Sequence, residues 1–358
     1  MKDDKKAKSV KKQKPEGEGK LNGLRSRRIR IMIAAVVVAA LFAVVIMVTA
    51  VRYRGQDRWV TIPANSSSEA VRDSLVSALG LTDGNVVYDL WRMLGGGTSR
   101  AAGAYQVRKG QMSLLTAWRL SRGTQTPVSV SWSGVRTMDD LAKRLSRKFD
   151  FTAEDFLAAC DSILPSEGFR KEEFPAAFMP DKYEFYRTAS ASTVVRRMLE
   201  YRNKFWTEKR TAKARELGLT PVEAATLASI VEEETAKTDE MPVVARLYLN
   251  RLGKDMPLQA DPTVKFAVGD VTLRRITGKH LKVQSPYNTY IHRGLPPGPI
   301  RLASRKVIEK VLEAPEHEFL YMCAREDFSG YHNFAEKYSD HQANAARYQA
   351  ELDKRGIH

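Results

Sequence analysis

The feature that most constrains this 358-residue chain is an uncharged apolar run near its N-terminus. The run covers residues 31–51 and reads IMIAAVVVAALFAVVIMVTAV. As a helix rising about 1.5 Å per residue it is about 30 Å long, which matches the hydrocarbon core of a bilayer. Soluble helices are rarely apolar on all sides, and the apolar region of a cleaved signal peptide spans only about 7–15 residues. We therefore predict an uncleaved transmembrane helix at residues 31–51.

The basic charge is concentrated in front of this run. The formal net charge of the chain is +16. Residues 1–30 hold 12 Lys and Arg against 4 Asp and Glu, so this segment carries half of the net positive charge. The rest of the chain is only mildly basic, which disfavours nucleic acid as a partner and fits an anionic polymer. The positive-inside rule predicts a cytoplasmic head and an exported remainder. The low complexity of the head predicts disorder.

After a polar linker at residues 52–58, the sequence of the exported part predicts an α+β protein with two domains. Residues 59–132 show short strand and helix patterns around a triple-glycine break, which indicates a small α+β domain. Residues 133–358 continue the same pattern and predict a larger mixed α+β domain. With 43% hydrophobic and 28% charged residues, the chain has an ordinary globular composition.

The two cysteines, Cys160 and Cys323, are widely separated and mark no disulfide framework. We predict two free, buried thiols. The sequence contains no Cys/His spacing typical of a zinc site, so no metal is expected.

A helix predicted after Thr220 places a carboxylate among apolar side chains. Residues 220–223 (TPVE) combine an N-cap Thr, Pro at the first position and Glu three residues after the cap. At about 100° per residue, Glu234 falls on the stripe formed by Leu227, Ile230 and Val231. A desolvated carboxyl group favours its protonated form, which a general acid needs near neutral pH. Glu234 is therefore a candidate general acid.

The same helical wheel gives the neighbouring glutamates different surroundings. Glu233 projects towards a polar face and is expected to be solvated, whereas Glu232 falls on a smaller flank beside alanines. The structural alternative for Glu234 is an acidic helix end that curls into solvent or pairs with Arg246 or Arg251.

Amide, carboxylate and aromatic side chains recur downstream in loops bounded by prolines. These loops are residues 257–264 (PLQADPTV), 285–290 (SPYNTY) and 294–300 (GLPPGPI). A carbohydrate cleft uses such side chains for hydrogen bonds to hydroxyl and N-acetyl groups and for ring contacts with sugars. Ordinary turns also use Pro, Gly and Asn, so the composition of these loops leaves both interpretations open.

Taken in order, these segments resemble the endolytic murein transglycosylases, the YceG-like family. The matching segments are residues 227–235 (LASIVEEET), 250–252 (NRL), 258–264 (LQADPTV), 285–290 (SPYNTY) and 294–298 (GLPPG). Five ordered motifs make the resemblance specific, and with the N-terminal anchor it covers nearly the whole chain after residue 30. Residues 59–132 resemble the LysM-like region of that family, and residues 133–358 its catalytic domain.

The resemblance implies an enzyme at the plasma (inner) membrane whose periplasmic or extracytoplasmic domain cuts peptidoglycan glycan strands internally. The family's catalytic Glu is the second Glu of an Ile-Val-Glu-x-Glu-Thr pattern, which falls on Glu234, with Glu232 on the first. Protonated Glu234 would donate to the glycosidic oxygen between N-acetylmuramic acid and N-acetylglucosamine. It would then accept the muramic 6-hydroxyl proton and leave a 1,6-anhydro end. No cofactor or metal is implied.

The matched motifs also suggest supporting residues. Gln259, Asp261, Tyr287 and Asn288 are given substrate-positioning or helix-supporting roles. His332 lies in residues 330–334 (GYHNF), where the family has Gly-His-x-Phe, and is either a site residue or a structural histidine. Peptidoglycan synthases are a partner class that the family suggests, although no residue identifies one.

Two rival functions remain open at this point. A glycoside hydrolase normally needs a second carboxylate flanking the bond, and Asp261 is the nearby candidate. A membrane-anchored scaffold that binds peptidoglycan through residues 59–132 would need no catalytic residue at all.

Overall fold

A long helix, α1, spans Glu16–Ala50 and contains nearly all of the apolar run. Within it, Ile29–Ile46 has a mean hydropathy of 2.9, is long enough to cross a membrane and is not buried against the rest of the chain. The predicted apolar helix is therefore confirmed as a helix.

The helix begins earlier than predicted. Residues 16–30, expected to be disordered, continue α1 instead. Extending an existing helix adds one hydrogen bond per residue and needs no new nucleus, so the apolar segment can propagate helix into the basic head. The disorder predicted for residues 1–15 lies outside the described residues.

The computed structural model describes residues 16–270, 273 and 276–356. The chain divides into two units, Met1–Gln125 and Thr126–His358, here called unit 1 and unit 2. Both combine helices with short antiparallel strand pairs, so the mixed α+β class is confirmed.

In unit 1, one strand precedes a run of three helices and its partner follows it. Strand β1 (Arg58–Ile62) pairs antiparallel with β2 (Gly103–Val107). The helices after α1 are α2 (Ser68–Leu79), α3 (Leu81–Met93), α4 (Thr98–Ala101) and α5 (Ser113–Arg122). Trp91 and Tyr105 are the largest fully buried side chains of the core that these elements share.

Unit 2 begins with strand β3 (Pro127–Ser131), which pairs antiparallel with β4 (Lys182–Tyr186). The sequence assigned β3 to the small domain at residues 59–132, but its hydrogen bonds to β4 place it in unit 2. A further antiparallel pair joins β5 (Tyr321–Ala324) to β6 (His332–Ala335). The helices of unit 2 are α6 (Met138–Ser146), α7 (Ala153–Ile163), α8 (Ala191–Phe205), α9 (Glu208–Glu216), α10 (Pro221–Glu234), α11 (Met241–Gly253), α12 (Asp261–Val268), α13 (Arg305–Leu312) and α14 (Tyr338–Lys354), with 3₁₀ turns at Pro165–Glu167, Lys171–Ala177 and His280–Lys282.

Both cysteines are free thiols, as predicted. Cys160 is buried in α7, whereas Cys323 on β5 is only partly buried. Burial raises the pKa of Cys160 to about 12, so this thiol remains protonated and unreactive near neutral pH.

Helix α10 lies at the centre of unit 2, in contact with α9, α11, α12 and α13. Its predicted start is confirmed, since Thr220 Oγ1 accepts a hydrogen bond from Glu223 N at 3.2 Å and Glu223 Oε2 accepts one from Thr220 N at 2.7 Å. All residues from 224 to 231 are buried. The helix is therefore enclosed on every side between its first and last turns.

The prediction that α10 has a solvated polar face was wrong. Thr226 and Ser229 lie seven and four residues before Glu233 and so share its face of the helix, but both are buried and their hydroxyl groups bond to backbone carbonyl oxygens. Ser229 Oγ donates to the Thr226 carbonyl at 2.7 Å and accepts from Ile300 N at 3.0 Å. The helical wheel assumed one solvated side, whereas the segment around residue 300 covers that side.

The loop containing residues 294–298 passes close to the 3₁₀ turn Lys171–Ala177, and this contact requires a glycine. A Cβ at Gly298 would lie 1.9 Å from the Glu172 carbonyl oxygen.

We expect Gly298→Ala to destabilise the protein by about 1–3 kcal/mol, because the backbone at this contact would have to move. Chemical denaturation of the full chain in detergent measures this change. Gly253→Ala is the matched control, since nothing lies within 4 Å of its added Cβ; equal effects of the two substitutions would contradict the contact.

Candidate active site

The C-terminal end of α10 lies at a cleft of about 290 Å³. Glu234, the last residue of the helix, contributes its side chain to this cleft. The lining residues are Glu234, Leu247, Tyr248, Arg251, Leu258, Gln259, Asp261, Tyr290, Leu320, Tyr321, Met322, Cys323, Ala324, His332 and His341. Four of the residues singled out from sequence, Glu234, Gln259, Asp261 and His332, therefore meet in one place.

A buried tyrosine holds the Glu234 carboxyl group. Tyr248 Oη donates to Glu234 Oε1 at 2.7 Å. Burial raises the pKa of Glu234 to about 7, outweighing the lowering effect of this hydrogen bond, and the negative charge of Asp261 adds to the increase. Burial also raises the pKa of Tyr248, so its hydroxyl remains a donor. Near neutral pH, much of Glu234 is thus protonated.

The two arginines considered as partners of Glu234 bond elsewhere. Arg246 donates to the carbonyl oxygens of Ala314 and Pro315 at 3.2 and 3.0 Å. Arg251 donates to the carbonyl oxygens of Leu258 and Leu320 at 2.6 and 2.8 Å. Both guanidinium groups therefore hold backbone segments in place, and Arg251 fixes two walls of the cleft to α11.

Glu233 and Glu232 have different surroundings from Glu234. Glu233 is bracketed by Arg136 and Arg301, each at 2.6 Å, and its side chain is only 13% exposed. The expectation that Glu233 is solvated was therefore wrong, because unit 2 encloses this end of α10. Glu232 accepts a hydrogen bond from Ser304 N at 2.9 Å and lies 3.5 Å from Arg301. Neither carboxylate contributes to the cleft lining.

Asp261 and Gln259 enter the cleft from the start of α12. Asp261 Oδ1 accepts a hydrogen bond from Tyr290 Oη at 2.7 Å. Gln259 adopts a left-handed backbone conformation, with φ of 54°, and its N–H donates to the Thr289 carbonyl at 3.0 Å. These bonds join the loop before α12 to the loop at residues 285–290.

Asn288 and Tyr287 do not line the cleft. Asn288 is fully buried, and its Nδ2 donates to the carbonyl oxygens of Leu281 and Val283 at 3.0 and 2.9 Å. The Tyr287 ring packs against Phe266 of α12 with centroids 4.7 Å apart. Both residues therefore shape the loop that carries Tyr290.

His332 reaches the cleft from β6 and is oriented by a buried carboxylate. Its Nδ1 lies 2.8 Å from Glu240 Oε2, and its backbone N–H donates to Glu240 Oε1 at 2.7 Å. Thr235, next to Glu234, donates its hydroxyl to Glu240 at 3.0 Å. Glu240 thus connects the end of α10 with the β5–β6 hairpin. Among the described residues, no group of three or more His, Cys, Asp and Glu side chains could hold a metal ion.

Residues 60–347, about four fifths of the chain, match the model of the YceG-like family. The chain belongs to the YceG-like family. The match extends through both units, so it includes the β1–β2 region as well as the cleft.

Two curated relatives of this YceG-like chain are named endolytic murein transglycosylase. The endolytic murein transglycosylase of Streptococcus pneumoniae serotype 2 (strain D39) is 27% identical over 322 residues, covering 81% of this chain and 58% of that protein. The endolytic murein transglycosylase of Bacillus subtilis (strain 168) is 30% identical over 234 residues, covering 64% and 61%. The chain thus spans about three fifths of the length of these relatives.

A solved structure of a yceG-like protein from Listeria monocytogenes shares the fold. It superimposes with a TM-score of 0.53 at 24% identity, covering 80% of this chain and 98% of that one. This likeness supports the YceG-like fold.

Two residues that line the YceG-like cleft, Tyr248 and Tyr290, were not predicted from the sequence, and neither was Glu240, which orients His332. Tyr248 lies in α11 and Tyr290 within a matched motif, but their hydroxyl partners are 14 and 29 residues away. Glu240 meets His332 across 92 residues. A local pattern carries no signal for such partners.

Glu234→Gln is expected to raise the melting temperature at pH 8. Glu234 has a pKa of about 7 in the folded chain, against about 4.3 in an unfolded one, so the folded state loses stability as the pH rises between these values. A neutral Gln avoids this loss. Circular dichroism melts of the full chain in detergent should show the gain at pH 8 and none at pH 4.

Glu232→Gln is the matched control for this melt, because its carboxylate bonds to Ser304 N and Arg301. It should lower the melting temperature. An equal gain for Glu234→Gln at both pH values would contradict the raised pKa.

Proposed function

We propose that this chain is a membrane-anchored lytic transglycosylase that cleaves peptidoglycan glycan strands internally. The observation that carries the proposal is the Glu234 carboxyl group, with a pKa of about 7 and a hydrogen bond from Tyr248, at the base of a polar and aromatic cleft. The curated relatives are named endolytic murein transglycosylases, which supports peptidoglycan as the substrate class.

In the proposed reaction, protonated Glu234 donates its proton to the glycosidic oxygen between N-acetylmuramic acid and N-acetylglucosamine. The bond from the muramic C1 to that oxygen breaks. The muramic 6-hydroxyl oxygen then bonds to C1, and the Glu234 carboxylate accepts its proton. Glu234 ends in its starting state, no water is consumed, and the product has a 1,6-anhydro end.

This double use of one carboxyl group suits a pKa near 7. A carboxyl group with an ordinary pKa would be almost wholly ionised at neutral pH and could not donate a proton, whereas one with a much higher pKa would donate its proton less readily. Tyr248 contributes by holding one carboxyl oxygen, which orients the group towards the cleft. The reaction as proposed needs no cofactor or metal.

The remaining cleft residues are proposed to position the glycan. Gln259 and Asp261 supply hydrogen-bonding groups to the cleft, and His332 supplies an imidazole from the opposite hairpin. Asn288 and Tyr287 act through the loop that they support. Glu232 is proposed as a structural residue, since its carboxylate is already bonded to Ser304 and Arg301.

Hydrolysis is the second candidate, because the structure brings Asp261 to the same cleft as Glu234. A hydrolase would use Asp261 as a base for water or as a nucleophile. Asp261 Oδ1 accepts a hydrogen bond from Tyr290 Oη at 2.7 Å, which orients the carboxyl group.

We further propose that unit 1 is a LysM-like glycan-binding module. Its order of a strand, helices and the antiparallel partner strand supports this assignment.

Helix α1 is proposed to anchor the chain in the plasma membrane with the basic head on the cytoplasmic side. Peptidoglycan synthases are the proposed protein partners. A pure scaffold is the non-catalytic alternative.

The proposal is tested by mass spectrometry of isolated glycan strands digested with the full chain in detergent. The parent should produce 1,6-anhydro ends, and Glu234→Gln should reduce their rate of formation about 10²–10⁴-fold, the usual contribution of a general acid–base group. Glu232→Gln is the matched control on the neighbouring residue and should keep most activity.

The products separate the alternatives. Reducing ends that disappear in Asp261→Asn would establish hydrolysis in place of transglycosylation. Intact strands that still bind both the parent and Glu234→Gln would support the scaffold and overturn the catalytic proposal.

The pH dependence should respond to Tyr248. Its hydrogen bond lowers the pKa of Glu234, so Tyr248→Phe should raise that pKa and move the basic limb of kcat/KM, which lies near pH 7 in the parent, to higher pH. A hydrogen bond to a charged group contributes about 1.5–3 kcal/mol, which corresponds to about one pH unit or more. Tyr321→Phe, which lines the cleft on the opposite hairpin, is the control and should leave the limb in place. A downward shift in Tyr248→Phe would contradict the assignment of the limb to Glu234.

A further inference from the structure

Helix α5 of unit 1 exposes two large apolar side chains. Trp118 is 45% exposed and Leu115 is 40% exposed, although Ala117 and Leu120 on the same helix are fully buried. Trp118 follows Leu115 by three residues, and the exposed Arg122 follows Leu115 by seven. The three side chains therefore lie on one face of the helix. We call these three residues the outer face of α5.

Exposed apolar side chains are common on soluble domains, so exposure alone does not define a surface. The location of α5 distinguishes this pair. The N–H of Ser113, the first residue of α5, donates to the carbonyl oxygen of Val51 at 3.0 Å. Arg52 forms a β-bridge with Met112. Helix α5 thus begins directly at the end of the apolar run.

This attachment limits how far the outer face can lie from the bilayer. Trp118 is five residues beyond Ser113, which is about 7.5 Å along a helix. The headgroup region extends roughly 5–8 Å beyond the hydrocarbon core on each side. If α1 spans the membrane and ends near Val51, both apolar side chains lie within reach of this region in any direction of α5.

The surrounding charge matches a lipid surface. Arg52, Arg54, Arg108 and Lys109 are exposed near the same end of α1, against the single exposed carboxylate Asp57 in this group. Arg52 Nη1 donates to the Gly110 carbonyl at 3.0 Å, which fixes the turn carrying Arg108 and Lys109 beside the end of the span. Basic side chains flanking an aromatic ring are typical of the membrane–water interface.

We infer that the outer face of α5 is a membrane-contact surface that inserts Trp118 and Leu115 into the lipid headgroup region. The amphipathic indole ring suits that region, with its apolar body towards the acyl chains and its N–H among the headgroups. Unit 1 is then held against the bilayer by α5 as well as by α1. This inference rests on the proposed membrane anchor and is independent of the proposed catalytic reaction.

The test uses the full chain reconstituted into vesicles of phosphatidylcholine and phosphatidylglycerol. The phosphatidylcholine carries bromine near the top of its acyl chains, so that it quenches tryptophan in contact with lipid. Since the chain has five tryptophans, contact by Trp118 alone should quench about one fifth of the emission. Trp118→Phe should remove this quenching. The control Trp206→Phe, in unit 2, should retain it.

Flotation of the vesicles, measured on the same samples, reports the anchor separately. A chain that floats and shows equal quenching in the parent and Trp118→Phe, or none in the parent, would overturn the surface and leave the anchor standing. A chain that does not float would overturn both. Formation of 1,6-anhydro ends by the same samples reports the catalytic proposal, which neither result decides.

Discussion

The enclosure of α10 is the constraint on which the rest of unit 2 depends. Residues 224–231 are buried without interruption, so the helix cannot turn a polar side to solvent and its polar groups must be satisfied within the protein. Ser229 meets this requirement through the backbone of residues 226 and 300. Helix α10 therefore forms the buried central element of unit 2, and the cleft lies at its C-terminal end.

The last three residues of α10 are glutamates, and each has a different environment. Glu233 lies between two arginines, and Glu232 bonds to a backbone N–H and one arginine, so both carboxyl groups have partners in a nearly buried position. Glu234 has a neutral tyrosine hydroxyl as its partner. That hydrogen bond does not offset the desolvation of Glu234, so the pKa of Glu234 rises to about 7.

The other cleft walls are loops that the protein has to hold in place. Arg251 bonds to carbonyl oxygens on both sides of the cleft, and Asn288 fixes the segment that presents Tyr290. Glu240 orients His332 while also receiving the Thr235 hydroxyl. Buried polar side chains that bond to backbone in this way make a loop site as well defined as one built on helices.

The apolar helix, the mixed α+β class, the start of α10 and the position of Glu234 on an apolar stripe could all be predicted from the sequence. These features depend on periodicity, caps and composition, which are local. The pairing of Glu233, the place of β3 beside β4, the tyrosines Tyr248 and Tyr290 in the cleft and the contact of Glu240 with His332 became visible in the folded chain. Those outcomes depend on contacts between residues far apart in the chain. A helical wheel can show which residues share a face, but it cannot show which segment will cover that face or supply the partner of a buried charge.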